Sequence, residues 1–146
     1  MEHVYDVTVD WKELRKGLMS SSVLNEKIEV ATPPPFPKGM ENIWSPEHLF
    51  VAAINSCLMT TFLAIAENSK LNFINFTSKG SGKLEQVEGK YLMTEVTLEP
   101  VVEIEDEKDK ERAERVLHKS ELNCLISNSV KSTIIFKPRI VVLAAK

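Results

Sequence analysis

Residues 49–66 form an uninterrupted run of eighteen residues without a formal charge. A run of this length is just sufficient to span a bilayer as a helix. Asn55, Ser56 and Thr60 lie in its middle, however, and polar groups there are costly in hydrocarbon. Because no second apolar span occurs, the run predicts a helix that is buried in a protein core or at a subunit interface.

The residues that precede this run carry the signals of a helix start. Ser45 can accept hydrogen bonds from the free amides of a first turn, and Pro46 suits the first helical position. Glu47 places a negative charge at the positive end of the helix dipole. The sequence therefore predicts one long helix that begins after Ser45 and ends at about Glu67 or Asn68. Its sides are apolar nearly all round, which favours burial.

Strand patterns surround this helix on both sides. Residues 5–11 alternate between apolar and polar side chains, as in a half-buried strand. The other elements are predicted as strands over residues 18–23, 27–31, 73–86, 90–104 and 133–143, a second helix over residues 105–120 and a helical turn over residues 124–129. Pro138 predicts an edge or a bulge in the last strand. The order β-β-β-α-β-β-α-β predicts a single α+β domain over residues 1–146, with antiparallel strands and a buried central helix.

The charge and cysteine content exclude several classes of function. Eighteen basic and twenty-one acidic side chains give a formal charge of −3, which offers no field for nucleic acid. Two cysteines are too few for a disulfide-scaffolded secreted domain. Glu2 and Asp6 stand where a signal peptide would carry its basic and apolar segments. We therefore expect a cytoplasmic protein that binds neither nucleic acid nor membrane.

The two thiols, Cys57 in the long helix and Cys124 after the second helix, are the first candidates for chemistry. Free cysteine is often only a small buried hydrophobe, so spacing alone leaves a structural role open. No C-x-x-C pair exists and the three histidines are scattered, so no metal or cofactor site is predicted. Free amides of a helical turn that begins at Cys124 would favour its thiolate. Cys57 needs a cation from elsewhere in the fold, because burial alone raises the pKa of a thiol.

Segments around these cysteines resemble the OsmC/Ohr family, the osmotically inducible and organic-hydroperoxide-resistance proteins. Residues 45–50, SPEHLF, are followed by two alanines and by a cysteine eleven positions after the proline, which is similar to the family's first motif. Residues 124–128, CLISN, resemble its second motif. Residues 15–17, RKG, resemble its Gly-Gly-Arg-x-Gly turn, with Glu13 and Leu14 in place of the two glycines. The resemblance covers essentially the whole chain.

The resemblance implies a thiol peroxidase that forms an intertwined homodimer. Cys57 would attack the O–O bond of an organic hydroperoxide and become a sulfenic acid, which Cys124 would resolve as a Cys57–Cys124 disulfide. An external dithiol, in the family often of the dihydrolipoyl type, would then reduce the disulfide. Arg15 would lower the pKa of Cys57 and polarise the peroxide. Glu47 would hold the Arg15 guanidinium through a bidentate pair.

The residues themselves leave alternatives for this site open. Lys12 and Lys16 lie beside Arg15 as other candidates for the cation, although neither offers a bidentate fork. Glu47 could serve only as a complement to the helix dipole. Glu47 and Cys57 are ten residues apart on one helix, roughly 15 Å along its axis, so one arginine hardly reaches both. We therefore expect Arg15 and Glu47 of one subunit to meet Cys57 of the partner subunit across a two-fold interface.

Two functions of different classes are compatible with these residues. The first is a cysteine-dependent hydroperoxide reductase without metal or organic cofactor, with hydrogen peroxide left open as a further substrate. The second is a non-catalytic dimer of the same fold that binds a small apolar ligand or senses redox state through its thiols. Treatment with a hydroperoxide separates them, because only the first predicts rapid oxidation of Cys57 and its return to the thiol with a dithiol.

Overall fold

The computed structural model describes residues 1–143, which fall into two compact units. The first unit is Met1–Leu49 and the second is Phe50–Lys146. The division lies inside the long helix α1 (Pro46–Asn68), after its first turn. The predicted bounds of this helix are confirmed. The single domain over residues 1–146 stays a prediction.

A three-stranded antiparallel sheet forms the first unit. Its strands pair in chain order as β1 (Thr8–Glu13), β2 (Lys16–Ser20) and β3 (Ile28–Ala31). In β2, Gly17 approaches β1 so closely that a Cβ would lie 3.0 Å from the carbonyl oxygen of Asp10. A Cβ here would require the neighbouring atoms to move by a few tenths of an ångström, so glycine suits the close pairing of these two strands.

The apolar face of β1 is exposed in the protomer. Val9 and Trp11 are 61% and 76% accessible, and every residue of the strand is exposed. The predicted half-burial is therefore wrong for the single chain. The first unit is one sheet without a helix layer, and Ala31 is its only buried apolar side chain within the described residues. An apolar strand face of this kind needs a covering surface from another layer or another chain.

The second unit contains most of α1 and a four-stranded mixed sheet. Its other elements are β4 (Asn75–Val87), β5 (Lys90–Ile104), α2 (Lys110–Leu122), β6 (Thr133–Phe136) and β7 (Arg139–Val142). Strand β5 pairs antiparallel with β4 and parallel with β6 and β7. The α+β class is confirmed, and the parallel pairs add to the antiparallel strands that the sequence predicts. Pro138 divides the predicted last strand into β6 and β7, because proline cannot donate a ladder hydrogen bond.

The boundaries of the shorter elements differ from those predicted. The first strand lies at 8–13 rather than 5–11, and the second at 16–20 rather than 18–23. A 3₁₀ turn, Glu107–Asp109, precedes α2, and a second one, Ser127–Ser129, occupies part of the predicted helical turn. These ends depend on local hydrogen bonds, such as the one from the Lys108 amide to the Asp106 carboxylate at 3.0 Å, which periodicity does not reveal.

Helix α1 buries one face and leaves the rest accessible. Its fully packed side chains recur every fourth residue and contact the sheet and α2: Ile54, Leu58, Phe62 and Ala66. Only 22% of its most apolar eighteen-residue window is buried. Burial on nearly all sides, as predicted, is therefore wrong for the protomer. By length and composition alone α1 could cross a membrane, a property that core helices of soluble proteins share.

Asn55 fixes α1 on strand β4. Its Nδ2 donates to the Ser78 carbonyl at 2.8 Å, and the Ser78 hydroxyl donates back to Asn55 Oδ1 at 2.6 Å. Gly80 permits this approach, since a Cβ there would lie 3.0 Å from Cγ1 of Val51. The two bonds set the rotation of α1 about its axis, and Cys57 lies two residues further along the same helix.

Candidate active site

Cys57 lies in the middle of α1 and is half-buried. Its sulfur is 3.8 Å from the hydroxyl oxygen of Thr61, one helical turn later, which is within hydrogen-bond distance for sulfur. The amides of its own helix are already bonded and cannot stabilise a thiolate. Any further donor to this sulfur must therefore come from another part of the chain.

Cys124 lies just after α2 and is completely buried. Its thiol donates to the Ile54 carbonyl at 3.8 Å and accepts a hydrogen bond from the Ser127 hydroxyl at 3.3 Å. Ile54 precedes Cys57 by nearly one helical turn on α1. The fold therefore brings together two cysteines that are 67 positions apart in the sequence (124 − 57).

The surroundings of the two thiols push their pKa values in opposite directions. Burial raises the pKa of Cys57, but the backbone amides of Ile126 and Leu125, the neighbouring Cys124 thiol and the Thr61 hydroxyl together lower it below its usual value. Burial also raises the pKa of Cys124, and the neighbouring Cys57 raises it further. The hydroxyl and amide of Ser127 offset only part of this effect. Cys57 is thus the more acidic thiol of the pair and Cys124 the less acidic one.

This distribution corrects one prediction from the sequence. The sequence predicts that the turn after Cys124 favours the Cys124 thiolate, whereas the amides of Leu125 and Ile126 in this turn lower the pKa of Cys57, and the pKa of Cys124 is raised. The reason is that this turn packs against α1 beside Cys57. No sequence signal links these residues, because the contact depends on how α2 and its following turn dock on the long helix.

Arg15 lies in the turn between β1 and β2, with its side chain exposed. The preceding Leu14 has a φ of 50°, the left-handed region that favours glycine, which is where the resembling family motif has its second glycine. The backbone conformation therefore supports the register that aligns Arg15 with the family arginine. Arg15 lines a cavity of about 440 Å³ together with Val9, Trp11, Lys16, Gly17, Val30, Ala31, Thr32 and Pro46.

The neighbouring cations differ from Arg15 in their partners. Lys16 Nζ is 3.4 Å from Glu13 and 3.4 Å from Glu29, so its charge is matched within the sheet. Over residues 1–143, no carboxylate lies within ion-pair distance of the Arg15 guanidinium. Of these two cations, Arg15 is the one left available for an anionic partner. Lys12, also exposed, stays the open alternative.

Glu47 lies in the first turn of α1, behind the predicted cap. The Ser45 hydroxyl accepts a hydrogen bond from the His48 amide at 3.1 Å, which confirms Ser45 as the cap. One carboxylate oxygen of Glu47, Oε1, is buried and has no hydrogen-bond partner in the part of the chain that the structure describes. The protomer therefore does not form the predicted Arg15–Glu47 ion pair. Burial without a partner is costly for a carboxylate, so this oxygen is a candidate for a contact from outside the protomer.

Within residues 1–143, no group of three or more histidine, cysteine, aspartate or glutamate side chains is arranged to hold a metal ion.

The fold and these thiols define a two-cysteine protein of the α+β class. The family model described as OsmC-like protein matches residues 39–139, which include both cysteines and Glu47. The chain belongs to this family of OsmC-like proteins. A comparison with curated proteins gives no significant match.

Solved structures share the whole fold. An OsmC-like protein of unknown function from Vibrio cholerae is 27% identical, with a TM-score of 0.83 over 94% of this chain and 99% of that one. An organic hydroperoxide resistance protein from Elizabethkingia anophelis is 20% identical, with a TM-score of 0.77 over 97% and 98%. The organic hydroperoxide resistance protein OhrB of Bacillus subtilis is 18% identical, with a TM-score of 0.66 over 94% and 98%. At these last two identities the likeness shows the fold alone.

Proposed function

We propose that this chain is a thiol peroxidase that reduces organic hydroperoxides. The observation that carries the proposal is the adjacency of a half-buried Cys57 with a lowered pKa and a buried Cys124 with a raised pKa. A cysteine attacks an O–O bond as the thiolate, so the more acidic of the two thiols is the better candidate for the nucleophile. The names of two similar structures, both organic hydroperoxide resistance proteins, support this class of substrate.

The proposed reaction has two steps within the protein. The Cys57 thiolate attacks one oxygen of the O–O bond, the alcohol leaves after taking a proton, and Cys57 becomes a sulfenic acid. The Cys124 thiol then attacks the Cys57 sulfur and water leaves, so that a disulfide joins the two residues. An external dithiol, for which we propose the dihydrolipoyl type, supplies two electrons and two protons and restores both thiols. A reducing compartment such as the cytoplasm suits this cycle.

We further propose that the protein acts as a homodimer with shared sites. The exposed apolar face of β1, the accessible sides of α1 and the unpartnered oxygen of Glu47 support this assembly, because each needs a surface that the protomer lacks. In the dimer, Arg15 and Glu47 of one subunit serve Cys57 of the partner subunit. The guanidinium polarises the peroxide and adds to the stabilisation of the thiolate.

Intact-mass measurement after addition of one equivalent of cumene hydroperoxide tests the peroxidase. Formation of the disulfide removes two hydrogens, so the mass falls by about 2 Da, and a dithiol restores it. Peptide mapping is expected to show Cys57 joined to Cys124. A protein that only binds an apolar ligand keeps its mass under the same treatment, and that result would refute the proposal.

A further inference from the structure

Ser127 is a buried polar residue to which the reaction above gives no role. It is 8% exposed, and its hydroxyl donates to the sulfur of Cys124 at 3.3 Å. On another side of the same sulfur lies the Ile54 carbonyl, to which the thiol donates at 3.8 Å. The resolving sulfur is thus held between one donor and one acceptor, in a place without access to bulk water.

The turn that carries Ser127 is fixed by its own backbone. The Asn128 amide donates to the Cys124 carbonyl at 3.0 Å, and the Ser129 amide donates to the Ile126 carbonyl at 2.9 Å. Ser127 therefore stands three residues after Cys124 in a closed turn, which directs its hydroxyl back toward the sulfur. This is a hydroxyl aimed at a reacting atom by a rigid backbone, as catalytic positioning requires.

A donor in this position matters most when Cys124 loses its proton. Hydrogen bonds to an ionised acceptor are stronger than those to a neutral one, so the Ser127 hydroxyl binds a thiolate more strongly than a thiol. The Ile54 carbonyl has the opposite preference, because it accepts only from the protonated thiol. Ser127 thus lowers the barrier to deprotonation in a buried site that otherwise opposes it.

We propose that Ser127 is a catalytic residue of the resolving step, where its hydroxyl stabilises the Cys124 sulfur as it attacks the Cys57 sulfenic acid. This inference rests on the proposed peroxidase function. In the step, the S–S bond forms and the S–O bond of Cys57 breaks. The departing hydroxide takes the proton of the Cys124 thiol and leaves as water, so no further oxidant or reductant is needed.

A Ser127→Ala variant, mixed with one equivalent of cumene hydroperoxide, separates this role from the first step. Trapping with dimedone follows the sulfenic acid on Cys57, and intact mass follows the disulfide. We expect the sulfenic acid to form and the disulfide to form roughly tenfold more slowly than in the unaltered protein, with the midpoint of its pH dependence moved to higher pH. At excess peroxide, more Cys57 is over-oxidised to the sulfinic acid.

Two further variants control for loosening of the turn. Ser129→Ala removes an exposed hydroxyl of the same turn that donates to the Leu125 carbonyl at 2.8 Å and not to sulfur, so its disulfide is expected to form at the unaltered rate. Ser127→Thr keeps the hydroxyl and is expected to restore most of the rate.

Three results would overturn the inference. Ser127→Ala could form the disulfide at the unaltered rate with the same pH midpoint, or Ser129→Ala could be slowed equally. Either result removes the role of Ser127 and leaves the peroxidase in place. If the unaltered protein itself forms no sulfenic acid, the proposed function fails and this inference fails with it.

Discussion

A Cys57→Ser variant is expected to lose hydroperoxide consumption almost completely, by roughly a thousandfold or more in kcat/KM. Serine keeps the size of the side chain but replaces a thiolate by a hydroxyl, which is protonated at neutral pH and is a poor nucleophile toward an O–O bond. The measurement is the loss of cumene hydroperoxide with time in the presence of a dithiol. Folding of the variant is checked by circular dichroism.

Cys124→Ser is the matched control for removal of a thiol. It keeps Cys57, so we expect one equivalent of peroxide to be consumed and the sulfenic acid to persist or to be over-oxidised. The two variants thus separate the nucleophile from the resolving residue. Peroxide consumption by Cys57→Ser at the unaltered rate would show that Cys57 is not the nucleophile.

Removal of the Arg15 guanidinium is expected to lower kcat/KM roughly a hundredfold, because it deletes a cation that stabilises charge in the transition state. Arg15→Met keeps the apolar stem of the side chain in the cavity that it lines. Lys12→Met removes the exposed neighbouring charge and serves as the matched control, which we expect to keep most of the activity. A hundredfold loss in Lys12→Met with full activity in Arg15→Met would assign the cation to Lys12.

Mixed dimers test whether two subunits share the site. Arg15→Met and Cys57→Ser homodimers are each nearly inactive. If Arg15 serves Cys57 of the partner subunit, a dimer with one chain of each kind has one intact site. Subunit exchange at equal concentrations should then restore about a quarter of the activity of the unaltered protein. Mixed dimers that form but stay inactive would show that each site lies within one chain.

Local signals in the sequence were sufficient to predict the long helix α1 and the hairpin of β4 and β5. Ser45 caps α1 through the His48 amide, as its position before a proline predicts. Glu88 and Gly89, between the strands predicted over residues 73–86 and 90–104, both have positive φ, at 48° and 81°, as a tight two-residue turn requires. Pro138 interrupts the last strand because proline cannot donate a backbone hydrogen bond to a neighbouring strand in any sheet. These features depend on neighbours in the sequence and not on the rest of the fold.

Features that depend on contacts between distant parts of the chain could not be predicted from local sequence patterns. The alternation in β1 predicts an apolar face, but the sequence of the strand does not show whether the same chain covers that face. In the structure Trp11 is exposed. The sequence predicts a cation as the source of stabilisation for the Cys57 thiolate, whereas the amides of Leu125 and Ile126, almost 70 positions later in the chain, also lower its pKa. Ser127 is one residue of the CLISN segment, and the direction of its hydroxyl toward the Cys124 sulfur depends on the turn geometry.

The proposed peroxidase depends on Cys57 being the more acidic thiol of the pair and Cys124 the less acidic one. The rate of alkylation of the half-buried Cys57 by iodoacetamide as a function of pH, read by peptide mass, tests this property. Because the pKa of Cys57 is lowered, we predict a midpoint for Cys57 below the value of about 8.5 for an unperturbed cysteine. A midpoint for Cys57 at or above the value of an unperturbed cysteine would contradict the proposed role of Cys57 as the nucleophile.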